Sequence, residues 1–242
     1  MNSGISARKP PPARQGVEAV DRALALLAAF GATDASLGLA ELARRTGMYK
    51  STLLRLAASL MRAGMLERGA DGVFRLGPEL ARLGGLYRRR ADPPALIRPA
   101  LAALVAATGE TASFYVREGR VRVCLYRHNS DKPVRHHLDE GIRLPLEHGA
   151  AGRVLLAFGG ARGAAYDRIR REHGCVSLGE RDPEVGAAAV PVVDSGGSLR
   201  GALSVSALLA RFDAKAQRRA LAALAREAKA LGERLPAGTA GD

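Results

Sequence analysis

Apolar residues recur at helical spacing in three stretches near the start of the chain. The first stripe predicts a helix ending near Gly31 and consists of Val17, Val20, Ala23, Leu24, Leu27 and Ala28. Residues 39–47 predict a short second helix, which Gly47 ends because glycine readily takes the left-handed conformation of a helix terminus. Residues 48–60 predict a third helix, whose inward-facing set is Leu53, Leu56, Ala57 and Leu60. Two helices joined by a short glycine-containing turn are typical of a helix-turn-helix.

Strand-like alternation follows the third helix. Residues 64–68 and 73–76 flank a turn at 69–72 and predict a β-hairpin. A hairpin placed after three helices makes a winged helix. Leu80, Leu83 and Tyr87 then keep helical spacing, which predicts a connector helix ahead of the double proline at 93–94.

Helices and strands are mixed in the rest of the chain. An amphipathic helix over 96–105 is closed by Gly109, and further helices are predicted after Gly149, over 164–173 and from the cap candidate Asp213 to about Arg234. The predicted strands cover 111–117, 120–127, 134–138, 187–193 and 200–208. Helices that flank an antiparallel sheet define an α+β domain.

These patterns divide the chain into four parts. We predict a disordered tail over residues 1–16, a winged helix-turn-helix domain over 17–76, a connector helix over 77–92 and the α+β domain over 93–236. The tail contains a proline run and lacks the apolar core of a secretory signal.

The charge balance adds a polyanionic partner to this picture. Lys and Arg number 37 against 24 Asp and Glu, which gives a formal net charge of +13. Residues 1–90 contain 15 basic and 7 acidic side chains, so the helix-turn-helix part is the more basic one. Nucleic acid and an anionic membrane both fit such a charge.

Two further features of composition bear on the compartment. No apolar run approaches the ~18 residues that a spanning helix needs, so we predict no transmembrane segment and no membrane partner. Two cysteines, Cys124 and Cys175, do not make a disulfide framework or a four-ligand zinc site. Their number favours a reduced, cytoplasmic protein.

The polar face of the third helix is the candidate DNA-binding surface, because a helix of this diameter enters the major groove. The candidate DNA contacts, including the two wing arginines, are Arg44, Tyr49, Lys50, Ser51, Thr52, Arg55, Arg68 and Arg75. Base specificity would fall mainly to Tyr49, Thr52 and Arg55, and Ser51 would serve as a phosphate or capping hydroxyl. The alternative is a solvated helix face in a winged helix that contacts only protein.

The C-terminal part contains a loop and a strand with binding chemistry. The small-residue loop at Gly149 opens a helix, and its amides can hold an anion, although close packing is the commoner role of such loops. Ser204 and Ser206 share one strand face and either donate hydrogen bonds into a cavity or pack. His136 and His137 would point to opposite faces of a strand, so they make a poor metal pair.

Catalytic chemistry is not predicted. The sequence contains no G-x-S-x-G, Walker A, HExxH or CxxC motif, and its five histidines are scattered. Nothing in the sequence supplies a base that would activate Ser204 or Ser206 as a nucleophile. We therefore expect no enzyme activity, no catalytic residue, no metal site and no cofactor.

The order of these parts and several short strings resemble the IclR family of bacterial transcription regulators. The resemblance covers roughly residues 17–235. It is carried by Leu39-Ala40-Glu41-Leu42-Ala43, Lys50-Ser51-Thr52, Arg75-Leu76-Gly77, residues 149–157, Gly179-Glu180 and Ala202-Leu203-Ser204-Val205-Ser206. It implies winged helices that read an operator, a GAF-like effector domain built on the antiparallel sheet, and a homodimer or dimer of dimers.

The resemblance also implies the residues of an effector site. Carried over by motif, they are Gly149, Ala150, Ser177, Ala187, Ser204 and Ser206. Amides at a helix start and hydroxyls on one strand face would hold the carboxylate of a small organic acid in an otherwise apolar pocket. Ser177 and Ala187 stand where some relatives carry ligand-contacting side chains.

The sequence thus favours a sequence-specific transcriptional regulator, a repressor or an activator, whose operator binding responds to an effector. Its partners would be double-stranded operator DNA, a small organic acid and further copies of the chain. The competing hypothesis is a metabolite-binding protein or enzyme in which the winged helix is only an interaction module. A third is a protein that coats DNA without sequence preference, which the charge permits.

Overall fold

The computed structural model describes residues 16–31, 33–91, 94–136 and 138–235. It consists of two compact units, Met1–Leu86 and Tyr87–Asp242. The division falls inside the segment predicted as the connector helix. Apart from Gly16, the predicted tail lies outside the described residues, as do the predicted domain limits at 92, 93 and 236.

The first unit is a helix-turn-helix with a hairpin wing. Its elements are α1 (Glu18–Ala28), α2 (Leu39–Thr46), α3 (Lys50–Arg62), β1 (Leu66–Arg68), β2 (Phe74–Leu76) and the first part of α4 (Pro78–Ala91). Gly47 ends α2 with φ +67°, and its amide donates to the Ala43 carbonyl. The antiparallel pairing of β1 with β2 completes the wing. The predicted winged helix-turn-helix is confirmed.

A small apolar core fixes the orientation of α2 and α3. Its buried residues come from all three helices, the segment before α2 and the wing: Leu26, Leu37, Leu42, Leu53, Ala57, Leu60, Leu66 and Phe74. Arg45 adds a polar tie, because its guanidinium donates to the Ala29 carbonyl at 2.9 Å and pairs with Asp34. The polar face of α3 is therefore held on a rigid support.

Only part of the apolar stripe predicted on α1 faces this core: Ala23 and Leu27 pack against it, and the other members do not. Leu26 is the buried residue of α1, whereas Val17, Val20 and Leu24 are 67%, 53% and 55% exposed. The spacing was read correctly as helical, but residue 26 lies on the opposite side of the helix from residues 17 and 24. Val17, Val20 and Leu24 thus form an exposed apolar ridge, called the α1 ridge below.

The second unit is an antiparallel sheet with helices on both faces. Its elements after α4 are α5 (Pro94–Thr108), β3 (Thr111–Glu118), β4 (Val121–His128), β5 (Arg143–Pro145), α6 (Ala150–Phe158), α7 (Ala164–Glu172), β6 (Cys175–Leu178), β7 (Val185–Val193), β8 (Leu199–Leu208) and α8 (Ala214–Arg234). The strand order is β5-β4-β3-β8-β7-β6, with antiparallel neighbours throughout. α5 and α8 cover one face, and α6 and α7 cover the other. The α+β class is confirmed.

Three details of this sheet differ from the prediction. Residues 134–136 and 138 are not in a strand, and His137 lies outside the described residues, so the strand predicted over 134–138 is wrong. Arginine side chains, rather than a neighbouring strand, bond backbone carbonyls of this segment. Arg211 donates to the Val134 carbonyl, and Arg127 donates to the His136 carbonyl. The edge strands β5 and β6 were missed, since three or four residues are too few to display alternation.

In the described ranges, no helix is both long enough and apolar enough to cross a bilayer.

The turn of the helix-turn-helix gives a test of backbone strain. Gly47→Ala should lower the free energy of unfolding of the first unit by about 1 kcal/mol, because a left-handed non-glycine residue is strained. The site is otherwise open, with nothing within 4 Å of the added Cβ. Gly84→Ala, inside α4 and equally open, should raise that free energy by about 0.5–1 kcal/mol. Urea unfolding followed by circular dichroism measures both, and a shift of the same sign in both variants would contradict the argument.

Candidate functional site

A cavity of about 50 Å³ lies on the face of the sheet that α6 covers. All six residues predicted for the effector site line it: Gly149, Ala150, Ser177, Ala187, Ser204 and Ser206. Its other walls include Tyr115, Arg122, His136, Leu138, Glu180, Arg181, Asp182 and Val185. The cavity therefore combines apolar walls with hydroxyl groups and a guanidinium.

Strand register brings the small residues of the cavity together. Ser177 of β6 pairs with Ala187 of β7, and Ala187 pairs with Ser206 of β8, so the three form one row across the sheet. Ser204 lies two residues before Ser206 and therefore on the same face. Short side chains in this row leave the space that larger residues would fill.

The amides at the start of α6 are already bonded within the chain. Gly149 donates its amide to Oε2 of Glu180 at 3.0 Å, and Ala150 donates to Oγ of Ser177 at 2.9 Å. The sequence suggested these amides as anion donors, whereas the structure uses them to fasten α6 to β6 and to the residues after it. Ser204 donates its hydroxyl to the Ala188 carbonyl at 3.0 Å. Of the three serine hydroxyls that line the cavity, those of Ser177 and Ser206 do not donate to a described residue.

Arg122 is the cavity residue that the sequence did not single out. It lies on β4 and is only 4% exposed. Its Nη1 donates to the carbonyls of Pro145 and His148, and the Tyr115 ring centroid lies 5.6 Å from its Cζ. Its Nε is buried without a hydrogen-bond partner among the described residues. Burial lowers the pKa of Arg122, because desolvation penalises the charged form.

The signal that could have revealed Arg122 is its place in β4: an arginine within a strand that has no solvent-exposed face. The strand β4 is buried continuously from Arg122 to Arg127, because helices cover both sides of the sheet. A shift in register between Phe114 and Tyr115 marks a β-bulge that brings Arg122 and Arg127 to the same face. Strict alternation over residues 120–127 would have separated them.

Arg127 is satisfied by the chain itself. Its Nε donates to Oδ1 of Asn129 at 2.9 Å and its Nη1 to Oγ of Ser113 at 3.2 Å, while Nη2 bonds the His136 carbonyl. It is 8% exposed and does not line the cavity. Arg122 and Arg127 thus lie on the same face of β4, but among the described residues only Arg127 has hydrogen-bond partners for Nε and for both Nη atoms.

The cavity rim carries both signs of charge. Glu180 pairs with Arg153 at 2.9 Å, and Oδ1 of Asp182 accepts the Glu184 amide at 3.1 Å. Nη2 of Arg181 lies 2.7 Å from Nε2 of His136. The described residues contain no group of three or more His, Cys, Asp or Glu side chains suited to a metal ion. The rim carboxylates thus have partners other than Arg122.

In the first unit, α3 presents its polar face to solvent. Tyr49 precedes α3 and is 85% exposed. Lys50, Ser51 and Arg55 are exposed as well, and Thr52 is half-buried. Within the described ranges, neither Lys50 nor Arg55 has an ion-pair partner. The structure therefore brings five of the candidate DNA contacts together, four of them on α3 and one at the residue before it.

The other three candidate DNA contacts hold intramolecular partners. Arg44 pairs with Glu41, whose pKa falls to about 2 because the Arg44 and Arg45 guanidinium groups donate hydrogen bonds to it. On the wing, Arg75 pairs with Asp71 at 2.8 Å. Arg68 donates to the Gly72 carbonyl at 3.2 Å, and its Cζ lies 5.3 Å from the Phe74 ring centroid.

The protein thus has the architecture of a winged helix-turn-helix unit joined in sequence to an α+β unit that contains a polar cavity. Residues 19–70 match the IclR helix-turn-helix domain, and residues 89–166 and 163–232 match the C-terminal domain of bacterial transcriptional regulators of the IclR type. The chain therefore belongs to the IclR family. Its matched domains and relatives are transcriptional regulators, not enzymes.

Individual relatives agree with this assignment. The HTH-type transcriptional regulator BhcR of Paracoccus denitrificans is 32% identical over 158 residues, which cover 65% of this chain and 56% of BhcR. The chain spans about half the length of the first curated relatives it matches. A crystal structure of an IclR-type regulator from a Silicibacter species matches with a TM-score of 0.69 at 27% identity, over 89% of this chain and 95% of that one.

A second solved structure shows the same fold at lower identity. It is an IclR homologue from Microbacterium hydrocarbonoxydans, in complex with 4-hydroxybenzoate. It matches with a TM-score of 0.70 at 20% identity, over 88% of this chain and 97% of that one.

Cys124 pairs with Tyr115 across β3 and β4. Its buried thiol should make the free energy of unfolding depend on pH in the alkaline range. Burial raises the pKa of Cys124 from 9 to about 11. Between these values the unfolded chain loses the proton and the folded chain keeps it, so stability should fall as pH rises from 9 to 11, by roughly 2–3 kcal/mol. Urea unfolding at several pH values measures this.

The pH effect of Cys124 is isolated by comparison with variants. The parent should lose stability relative to Cys124→Ala across this window, whereas Cys175→Ala, which removes the half-buried thiol, should retain most of the slope. A difference between the parent and Cys124→Ala that does not change with pH would contradict the assignment.

Proposed function

We propose that this protein is a sequence-specific transcriptional regulator whose operator affinity changes when a small organic acid binds in the C-terminal cavity. The observation that carries the proposal is the exposed face of α3, where Tyr49, Lys50 and Arg55 project from a rigidly packed helix. The family to which the chain belongs supports DNA binding.

The chemistry of the α3 face supports groove recognition. Arg55 can form the bidentate contact to guanine that is commonest in specific sites, and Tyr49 and Thr52 can contact neighbouring base edges. Lys50 and Ser51 would hold phosphates, and Arg68 and Arg75 of the wing would follow the backbone. Arg44 and Arg75 would exchange Glu41 and Asp71 for phosphate, which is consistent with a positioning role.

The cavity supports an acid as the effector. It offers the hydroxyls of Ser177 and Ser206 beside apolar walls, which is the usual composition of a small-molecule site. The homologue from Microbacterium hydrocarbonoxydans was solved with an organic acid, 4-hydroxybenzoate. We extend the acid class to this chain, with Gly149, Ala150, Ala187 and Ser204 shaping the pocket.

The α1 ridge supports a homodimer. Three large apolar side chains on one helix face are left uncovered by the chain's own core. The ion pair between Glu18 and Arg22 beside the ridge offers both signs of charge, so a copy related by a two-fold axis can meet complementary groups. Dimeric helix-turn-helix proteins bind two half-sites, and a dimer of dimers would extend this arrangement.

Nuclease footprinting on the intergenic DNA beside the protein's own gene tests the proposal as a whole. We expect a bounded, roughly two-fold symmetric footprint whose extent or affinity changes with one member of a panel of small organic acids. Uniform protection would favour the DNA-coating protein. Absent protection together with acid turnover would favour the enzyme with an interaction module.

Arg55 tests the DNA surface at residue level. Arg55→Ala should weaken operator binding by about 5- to 150-fold, the loss expected when a bidentate base contact is removed. Fluorescence anisotropy at several KCl concentrations measures the affinity. The control Arg218→Ala removes the same charge from an exposed position on α8 and should leave the affinity within about twofold. Equal affinities of parent and Arg55→Ala at every salt concentration would exclude Arg55 as a contact.

Leu24 tests the dimer. Leu24→Asp places a charge in the α1 ridge and should shift the chain from dimer to monomer, since a buried unpaired carboxylate is strongly unfavourable. Sedimentation velocity at micromolar protein measures the shift. Ala230→Asp, which places the same charge at an exposed position on α8, is the matched control and should stay dimeric. An unchanged dimer in Leu24→Asp would place the interface elsewhere.

A further inference from the structure

We propose that Arg122 anchors the effector by binding its carboxylate side-on through Nε and Nη2, and that this effector is a short aliphatic acid. The inference rests on the proposed effector function of the cavity and deepens it. Arg122 is not part of any sequence motif described above, and its role is separate from that of the amides at the start of α6.

The first argument is charge. A guanidinium that is 4% exposed has lost nearly all of its water, and a buried cation without a counter-ion is strongly unfavourable. The Tyr115 ring and two backbone carbonyls offset part of that loss. Among the described residues, no carboxylate pairs with Arg122. An anion in the adjoining cavity would supply the missing charge.

The second argument is geometry. Both hydrogen bonds of Arg122 to described residues come from Nη1, so the edge formed by Nε and Nη2 is unused. A carboxylate binds such an edge through two parallel hydrogen bonds. A Cβ at Gly149 would lie 3.3 Å from Nη2 and 4.0 Å from Oγ of Ser177, so the glycine keeps the space between these two groups open.

The third argument is the engagement of nearby acids. Glu180 accepts the Gly149 amide and pairs with Arg153, and Asp182 accepts the amide of Glu184. Arg181 also lines the cavity and adds positive charge. The carboxylates that line the cavity are thus bonded to other groups, and none of them is bonded to the Nε and Nη2 edge of Arg122.

Cavity volume sets the size of the acid. About 50 Å³ is well below the ~150 Å³ of an engineered cavity that accepts benzene. The remaining walls at Leu138 and Val185 suit a short alkyl segment, and the hydroxyls of Ser177 and Ser206 suit one further polar atom. These limits favour an acid of acetate or glycolate size over an aromatic one.

The test is calorimetric titration of the full-length chain with acetate, glycolate and benzoate, using chloride to match ionic strength. The parent should bind acetate or glycolate more tightly than benzoate. Arg122→Gln should weaken that binding at least tenfold, because the charge and the fork are both lost. Arg122→Lys should weaken it severalfold, because an ammonium keeps the charge without the side-on edge.

Arg127→Gln is the matched control. Arg127 is a buried arginine on the same strand face, but the chain satisfies its donors and it does not line the cavity. Its replacement should leave acid affinity within about twofold. Circular dichroism checks that each variant is folded, and if Arg122→Gln is not, Arg122→Lys decides.

The outcomes separate this inference from the proposed function. Acid affinity within twofold of the parent in Arg122→Lys and in a folded Arg122→Gln would overturn the anchor, and acid-dependent operator affinity would then still support the effector function. Tighter binding of benzoate than of acetate and glycolate would overturn the size limit. If none of the three acids binds the parent while operator DNA does, the anchor and the acid effector both fall, and DNA binding stands.

Discussion

Burial of both faces of the six-stranded sheet is the constraint on which the second unit depends. In an antiparallel sheet with one solvent-exposed face, charged strand residues can point into solvent, but here helices cover both faces of the sheet. Each polar group inside must then find its partner within the protein. Glu110 does so with Arg211 and Lys132, and Asp194 accepts the amides of Gly196 and Ser198. Arg122 meets the same requirement only in part.

The first unit depends on a different balance. Its eight-residue core is small, so the angle between α2 and α3 needs local devices in addition to packing. The left-handed turn at Gly47 and the tie from Arg45 to the segment before α2 supply them. The exposed side chains of α3 are consequently presented by a fixed backbone, which a helix that reads base edges requires.

Sequence periodicity predicted most of the helices because a long helix such as α8 has one dominant partner face. The helix α8 begins after Asp213, whose carboxylate accepts the Ala216 amide at 2.8 Å, as the cap residue indicated. Periodicity failed where the environment is set by distant segments. The edge strands β5 and β6 are too short to show a period, and residues 134–136 are fixed by arginine donors rather than by a neighbouring strand.

The candidate site shows the same limit. The family motifs placed six residues that do line one cavity, where the register of β6, β7 and β8 brings Ser177, Ala187 and Ser206 into one row. The hydrogen bonds from Gly149 and Ala150 to Glu180 and Ser177 join residues about thirty apart, and no local pattern specifies such pairs. Arg122 was hidden for a similar reason, since a charged residue at its strand position looks solvated until both helix layers are known.

The α1 ridge and Arg122 both depart from the rule that apolar side chains are buried and that buried charges are paired. The α1 ridge leaves apolar surface uncovered, and Arg122 leaves a buried charge uncompensated. Natural sequences concentrate such departures at functional sites, where something outside the chain completes the balance. The position of Arg122 matters as much as its charge. It bonds the Pro145 carbonyl of β5, and Arg143 of the same strand pairs with Glu118, which also accepts the Tyr87 hydroxyl of α4. A ligand that changed the contacts of Arg122 would therefore act on β5, which Glu118 fastens to Tyr87 within the second unit.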